Sequence, residues 1–204
     1  MKKLFRRALI CTLAAALIFT VSLLRDQKAL ETRLIRLHVV GASDTEEDQR
    51  QKLLVRDAIL GSIGKDLEDA ASPEQARAYL QKNLPKLQAI AKTTLEELGN
   101  PAPARVTLEK EAFPRRVYDS FTLPAGIYES LRITIGEGKG HNWWCVAFPS
   151  LCLPAAGKDL ETVAAEGGLS GPLTGAITGE KPYALRFYLL DLLGSWQAQR
   201  KSHQ

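Results

Sequence analysis

The chain has 204 residues, with 27 Lys+Arg against 23 Asp+Glu, a formal charge of +4 and 45% hydrophobic residues. That much apolar material excludes a chain disordered over its whole length, and 15 Gly, 10 Pro and 3 Cys exclude collagen and disulfide-dense miniproteins. A basic excess points to nucleic acid only if the charges are spread over a folded surface.

They are not. The chain opens Met1-Lys2-Lys3-Leu4-Phe5-Arg6-Arg7, and an uncharged run of 17 residues follows from Ala8 to Leu24, closed by Arg25 and Asp26. A basic start before a short apolar run is the pattern of a secretory signal. A permanent spanning helix wants about 20 such residues. Residues 1–22 are therefore expected to be a signal peptide, cleaved after Ser22, or a short membrane anchor, and the rest is exported. Taking Lys2, Lys3, Arg6 and Arg7 from the 27 basic residues leaves 23, equal to the 23 acidic ones. The exported part is formally neutral, so nucleic acid is not implied as a partner. Cys11 lies in the leader. Cys145 and Cys152 remain, either as one disulfide, the expectation for an exported domain, or as two buried thiols.

Leu34 to Val40 alternates, with Ile35, Leu37 and Val39 on one face and Arg36 and His38 on the other, which predicts a strand with one solvent face. Gly41-Ala42-Ser43-Asp44 breaks it. Ser43 with Glu46, or Asp44 with Glu47, has capping-box spacing, so a helix is expected over about 44–60, with Leu54, Val55, Ala58 and Ile59 on one face. Ser72-Pro73-Glu74-Gln75 starts a second helix over about 73–98, with a stripe at Ala76, Leu80, Leu84, Leu87, Ala91, Leu95 and Leu98 and a kink or split at Pro85. After Pro103 the period changes to two. Strands are expected around Arg105–Glu109, Arg116–Phe121, Tyr128–Ile135 and Trp143–Phe148, with Gly136 to Asn142 as a tight, glycine-rich hairpin turn. Residues 154–182 carry six of the 15 glycines and read as a loop or insertion. Residues 183–204 read as a last strand, Tyr183 to Leu190, followed by a short helix or frayed tail to Gln204.

Gly136-Glu137-Gly138-Lys139-Gly140 lacks the spacing and the following helix of a P-loop. His141 and Cys145 would share a strand face, which allows a cysteine nucleophile with a base, but a bridged Cys145 could not attack. The pool of His38, His141 and His203, the two late cysteines and the carboxylates shows no zinc-ligand spacing, so no metal and no cofactor are implied. Glu46-Glu47-Asp48 and Glu96-Glu97 read as solvated charges. The distinctive stretch is Tyr128 to Cys152, where adjacent Trp143 and Trp144 must point to opposite faces of a strand.

Arg36-Leu37-His38-Val39-Val40-Gly41-Ala42-Ser43-Asp44, then Glu47-Asp48-Gln49 with Lys52-Leu53 and Val55-Arg56-Asp57-Ala58, resemble the opening of the stage II sporulation protein R family. Leu123-Pro124-Ala125-Gly126 with Tyr128-Glu129 and Leu131-Arg132-Ile133 continues the likeness. The block Ile135 to Cys152, with Gly140-His141-Asn142-Trp143-Trp144-Cys145, is its most specific part. The chain departs from the family pattern at His141, where Gln is usual, and at Gly41-Ala42. The resemblance implies an exported signal made in the forespore, with no enzymatic activity of its own. It would trigger a membrane-embedded aspartic protease of the mother cell that matures the precursor of sporulation sigma factor E.

The expectation is thus one exported α+β domain, residues 33–153, with an antiparallel or mixed sheet and two main helices packed on it. Partner contact is expected at His38, Asp44, Arg132, Glu137, His141, Asn142 and Trp144, in the space between forespore and mother cell, with membrane association through residues 8–24. Two other readings are an extracytoplasmic hydrolase using Cys145 and His141, and a membrane-tethered structural protein.

Overall fold

The computed structural model describes residues 1–151, 160–179 and 184–202. Helix α1 (Lys2–Arg33) runs unbroken through the apolar leader and eleven residues beyond Ser22, because nothing from Lys2 to Arg33 breaks a helix. Residues 1–21 are exposed, whereas Leu23, Gln27 and Leu30 are buried against the domain. The helix is long and apolar enough to cross a membrane.

Strand β1 (Ile35–Val40) follows directly, and all six of its residues are buried. This corrects the expected solvent face: Arg36 is 0% and His38 5% exposed. The reason is topological. The four-stranded sheet has the order β2-β5-β1-β6, so β1 is central. It is paired in parallel with β5 (Gly126–Ile135) and antiparallel with β6 (Asn142–Phe148). Strand β2 (Ala104–Phe113) closes the other edge, antiparallel to β5. The sheet is mixed, and the fold is a single α+β domain.

Helices α2 (Glu46–Glu68) and α3 (Pro73–Glu97) cover one face. The N-cap of α2 is Thr45, whose hydroxyl accepts from Asp48 N, in place of Ser43 or Asp44. The buried face of α2 is Val55, Ile59, Leu60 and Ile63, with Leu54 left outside. In α3, Ser72 accepts from Gln75 N at 3.2 Å and the Gln75 side chain accepts from Ala71 N at 2.9 Å, closing a box at the expected place. Ala76, Leu80, Leu87, Ala91 and Leu95 form the buried stripe, and α3 is not split at Pro85. These helices enclose Ile35, Leu37, Val39, Leu131, Ile133 and Cys145.

The second sheet face is covered by elements the sequence reading missed. Residues 160–178, expected to be loop, hold α4 (Leu160–Glu166) and α5 (Gly171–Thr178). The expected last strand is helix α6 (Ala184–Ser202). The first residues of the expected insertion, 154–159, lie outside the described residues, as do 180–183. With the end of α1 these helices bury Phe113, Leu123, Tyr128 and Val146. Arg186 on α6 forms an ion pair with Asp26 and donates to Ser22 Oγ at 2.7 Å, fixing α6 to α1. A short hairpin, β3 (Arg116–Val117) and β4 (Thr122–Leu123), lies between β2 and β5 in the chain.

Candidate functional site

The loop from β5 to β6 is not a turn between paired neighbours. Strand β1 lies between β5 and β6, so the loop must cross over the end of β1. That crossing explains its glycines. Gly138 has φ +64°, and a Cβ there would meet Thr134 Cγ2 and Val40 Cγ1. A Cβ on Gly140 would stand 2.2 Å from Ser43 O. The close approach lets Gly140 N donate to Gly41 O at 2.9 Å. His141 N donates to Asp44 Oδ1 at 2.5 Å, and His141 Nδ1 lies 2.6 Å from the same oxygen. Lys52, 4% exposed on α2, donates to His141 O at 2.9 Å, and burial lowers its pKa from the usual lysine value. Asp44 and His141 thus form one pair at the surface, with the Glu137–Lys139 ion pair at the loop tip.

Beneath this loop, on the face shared with α1 and α6, the even residues of β1 and β5 meet the odd residues of β2. His38 Nδ1 donates to Glu111 Oε1 at 2.8 Å, and its Nε2 is 2.8 Å from Asn142 Oδ1. Arg132 Nη1 donates to the same Glu111 oxygen at 2.7 Å. Burial by itself would raise the Glu111 carboxyl. The His38 hydrogen bond and the His38 and Arg132 charges outweigh it, holding the group below its ordinary value. Arg132 also lines a groove of about 500 Å³ with Arg105, Thr107, Glu109 and Thr134. Trp144 stands beside His38, ring centroids 5.4 Å apart, with the Arg116 guanidinium 3.1 Å from its ring centre. Trp143 points to the opposite face under Arg56, 4.7 Å away, as the strand alternation requires.

Of the seven expected contact residues, His38, Arg132, Asn142 and Trp144 therefore share one sheet face. Asp44 and His141 pair at its rim, and Glu137 projects beyond. His38 is too buried to present a surface; it holds Glu111 and Asn142 in place. It does not meet His141, which is bound to Asp44. The sequence reading missed Glu111, Arg36 and Arg116. Alternation alone could not mark them: it sets Arg36 on a solvent face, and nothing local tells that this face is covered or that Glu111 and Arg116 meet it.

Cys145 is 2% exposed in the core under α2 and α3, while the His141 side chain is 77% exposed in the surface loop. The strand does not present them together as a nucleophile and its base. The expected partner of Cys145, Cys152, lies outside the described residues. Among the described residues no group of three or more His, Cys, Asp or Glu is placed to hold a metal ion.

Fold and surface define an α+β domain with a long apolar N-terminal helix, whose polar cluster supports a loop-built face. The profile of the family described as Stage II sporulation protein R (spore_II_R) matches residues 31–158, and the chain belongs to that family. It is 42% identical over 118 residues to Stage II sporulation protein R of Bacillus subtilis (strain 168). The match covers 58% of this chain and 53% of that protein, about half of its length. No solved structure matches.

Proposed function

We propose that this chain is an exported sporulation signal that activates a membrane-embedded aspartic protease, which then processes the precursor of sporulation sigma factor E. The protein works without catalytic residues of its own, in the space between forespore and mother cell, and binding energy shifts the protease toward its active assembly. The observation that carries this reading is spatial. The two sequence blocks most like the family, residues 36–44 and 135–152, are far apart in the chain, yet one residue of each meets the other at the surface, where Asp44 binds the backbone and ring of His141. Around that pair Glu137, Asn142, Arg132 and Trp144 offer charged, amide and aromatic groups in the mixture protein interfaces use. A Cys145–Cys152 disulfide belongs to the same reading, since it would brace β6 behind the contact face.

Reconstitution of the exported domain with the protease and its precursor substrate tests this. Trp144→Ala with Glu137→Ala should weaken activation by about thirtyfold, the effect of losing a hot spot worth about 2 kcal/mol. Processing that survives the double substitution would show that this surface is not the docking face.

A further inference from the structure

The sheet face behind Trp144 holds two arginines with no acid beside them. Arg36 is 0% exposed. Its Nε donates to Cys145 O at 3.0 Å and its Nη2 to Tyr118 Oη at 2.7 Å, while Nη1 is buried with no acceptor. Its Cζ lies 4.3 Å from the Phe113 ring centre and 5.2 Å from that of Tyr128. Arg116, on the β3–β4 hairpin, stacks on Trp144, and its Nε is also buried without an acceptor. The Trp144 Nε1–H is a third such donor. Among the described residues neither guanidinium has an ion-pair partner.

These groups form a closed ring of contacts. Arg36 touches Phe113, Phe113 meets the edge of Trp144, and Trp144 carries Arg116. The hairpin then returns through Tyr118 to Arg36. Burial lowers the Arg116 pKa, Tyr118 works against that shift, and the charge of Arg36 adds to it, so the two cations sense each other. Guanidinium groups do not discharge in proteins. Aromatic faces attract a cation but accept no N–H bond in the plane of the guanidinium. Three unpaired donors and two uncompensated charges therefore remain on one face, an arrangement that is costly unless an acceptor with negative charge completes it.

We propose that Arg36, Arg116 and Trp144 form a receiving site for a carboxylate, carried by an acidic side chain of the protein partner. This rests on the reading of the Trp144 face as the docking surface, and names the chemistry it takes. A carboxylate is planar, offers about four lone-pair positions and brings one negative charge. It can slide between flat rings where a tetrahedral phosphate would keep more of its water. Entry is past Arg116. The hairpin that carries it stays fixed by the buried Phe121 and Leu123, so admission asks only the half-buried Arg116 side chain to turn aside.

The test uses the full chain in detergent, labelled with ¹⁵N, and the probes are sodium acetate, sodium glutarate and sodium phosphate, each set against sodium chloride at matched ionic strength. The Trp144 Nε1–H and Arg116 Nε–H resonances should shift saturably with acetate and glutarate at concentrations at least tenfold below any effect of chloride, while Trp143 Nε1–H stays in place. Arg116→Gln should abolish saturation at Trp144. Tyr118→Phe, which removes only a hydroxyl, should weaken binding severalfold and guards against a folding defect in the first variant. Resonances that do not move, or move equally in chloride, would mean that water and rings suffice, and the site would be withdrawn. Saturation by phosphate at lower concentration than by either carboxylate would overturn the assigned class. The protease is absent from this measurement. Intact carboxylate binding with no effect on processing would count against the proposed function alone.

Discussion

Glu111 is the residue on which the polar face turns. It accepts from both His38 and Arg132, and those partners hold its carboxyl below the ordinary value of 4.5 against the opposing effect of burial. A folded-state pKa below the unfolded one stabilises the protein above the unfolded value, and that stabilisation is lost as pH falls through the folded value. Glu111→Gln should therefore cost about 2 kcal/mol at neutral pH, the scale of a hydrogen bond to a charged group. In urea unfolding the gap between this variant and the parent should close as the pH is taken below about 4.5. A gap that stays constant down to strongly acidic pH would mean that the charge of Glu111 is not what stabilises the cluster. Local sequence could not single this residue out: Glu109 and Glu111 share a strand face, and only the approach of His38 from β1 distinguishes them.

At the scale of elements, α6 is the instructive case. Leu185 to Leu190 is rich in residues that suit a strand, and read by alternation it places Tyr188 and Leu190 on one side. In a helix the same two residues point well apart. The structure separates them: Leu190 is 0% and Tyr188 64% exposed. The burial that selects the helix comes from α1 and the second hydrophobic cluster, to which Leu189, Leu190 and Leu193 contribute. Leu190→Ala should thus destabilise by about 3 kcal/mol, and Tyr188→Ala by less than about 0.5 kcal/mol, measured by chemical denaturation. Equal losses at both positions would favour the strand. By contrast, α3 was legible from sequence, because its cap, its proline at the first turn and its stripe all agree on one element.

The whole molecule is a sheet covered on both faces, and α1 belongs to that plan. Its first 21 residues are exposed, and inward packing begins at Leu23, next to the expected cleavage point. A chain starting at Leu23 should keep the fold and lose only the Ser22–Arg186 hydrogen bond, about 1 kcal/mol. A chain starting at Leu34 loses Leu23 and Leu30 from the core and the Asp26 partner of Arg186, and should fail to fold cooperatively. Urea unfolding of the two truncations decides the matter. If both unfold alike, residues 23–33 are a leader and not part of the domain.

The amino-acid order alone determined what depends on neighbours along the chain. The charged start and apolar run, the neutral remainder, the caps of α3, the alternation that sends Trp143 and Trp144 to opposite faces, and the family to which the blocks belong could all be read from it. The tertiary structure decided what depends on position in the sheet. Alternation tells which residues share a face but not whether that face meets solvent, so Arg36 and His38 were placed outside until β1 proved central and covered twice. The glycines between Ile135 and Asn142 announced a tight passage but not that it crosses over β1. Only there do Asp44 and His141, 97 residues apart in the chain, come within a hydrogen bond of each other.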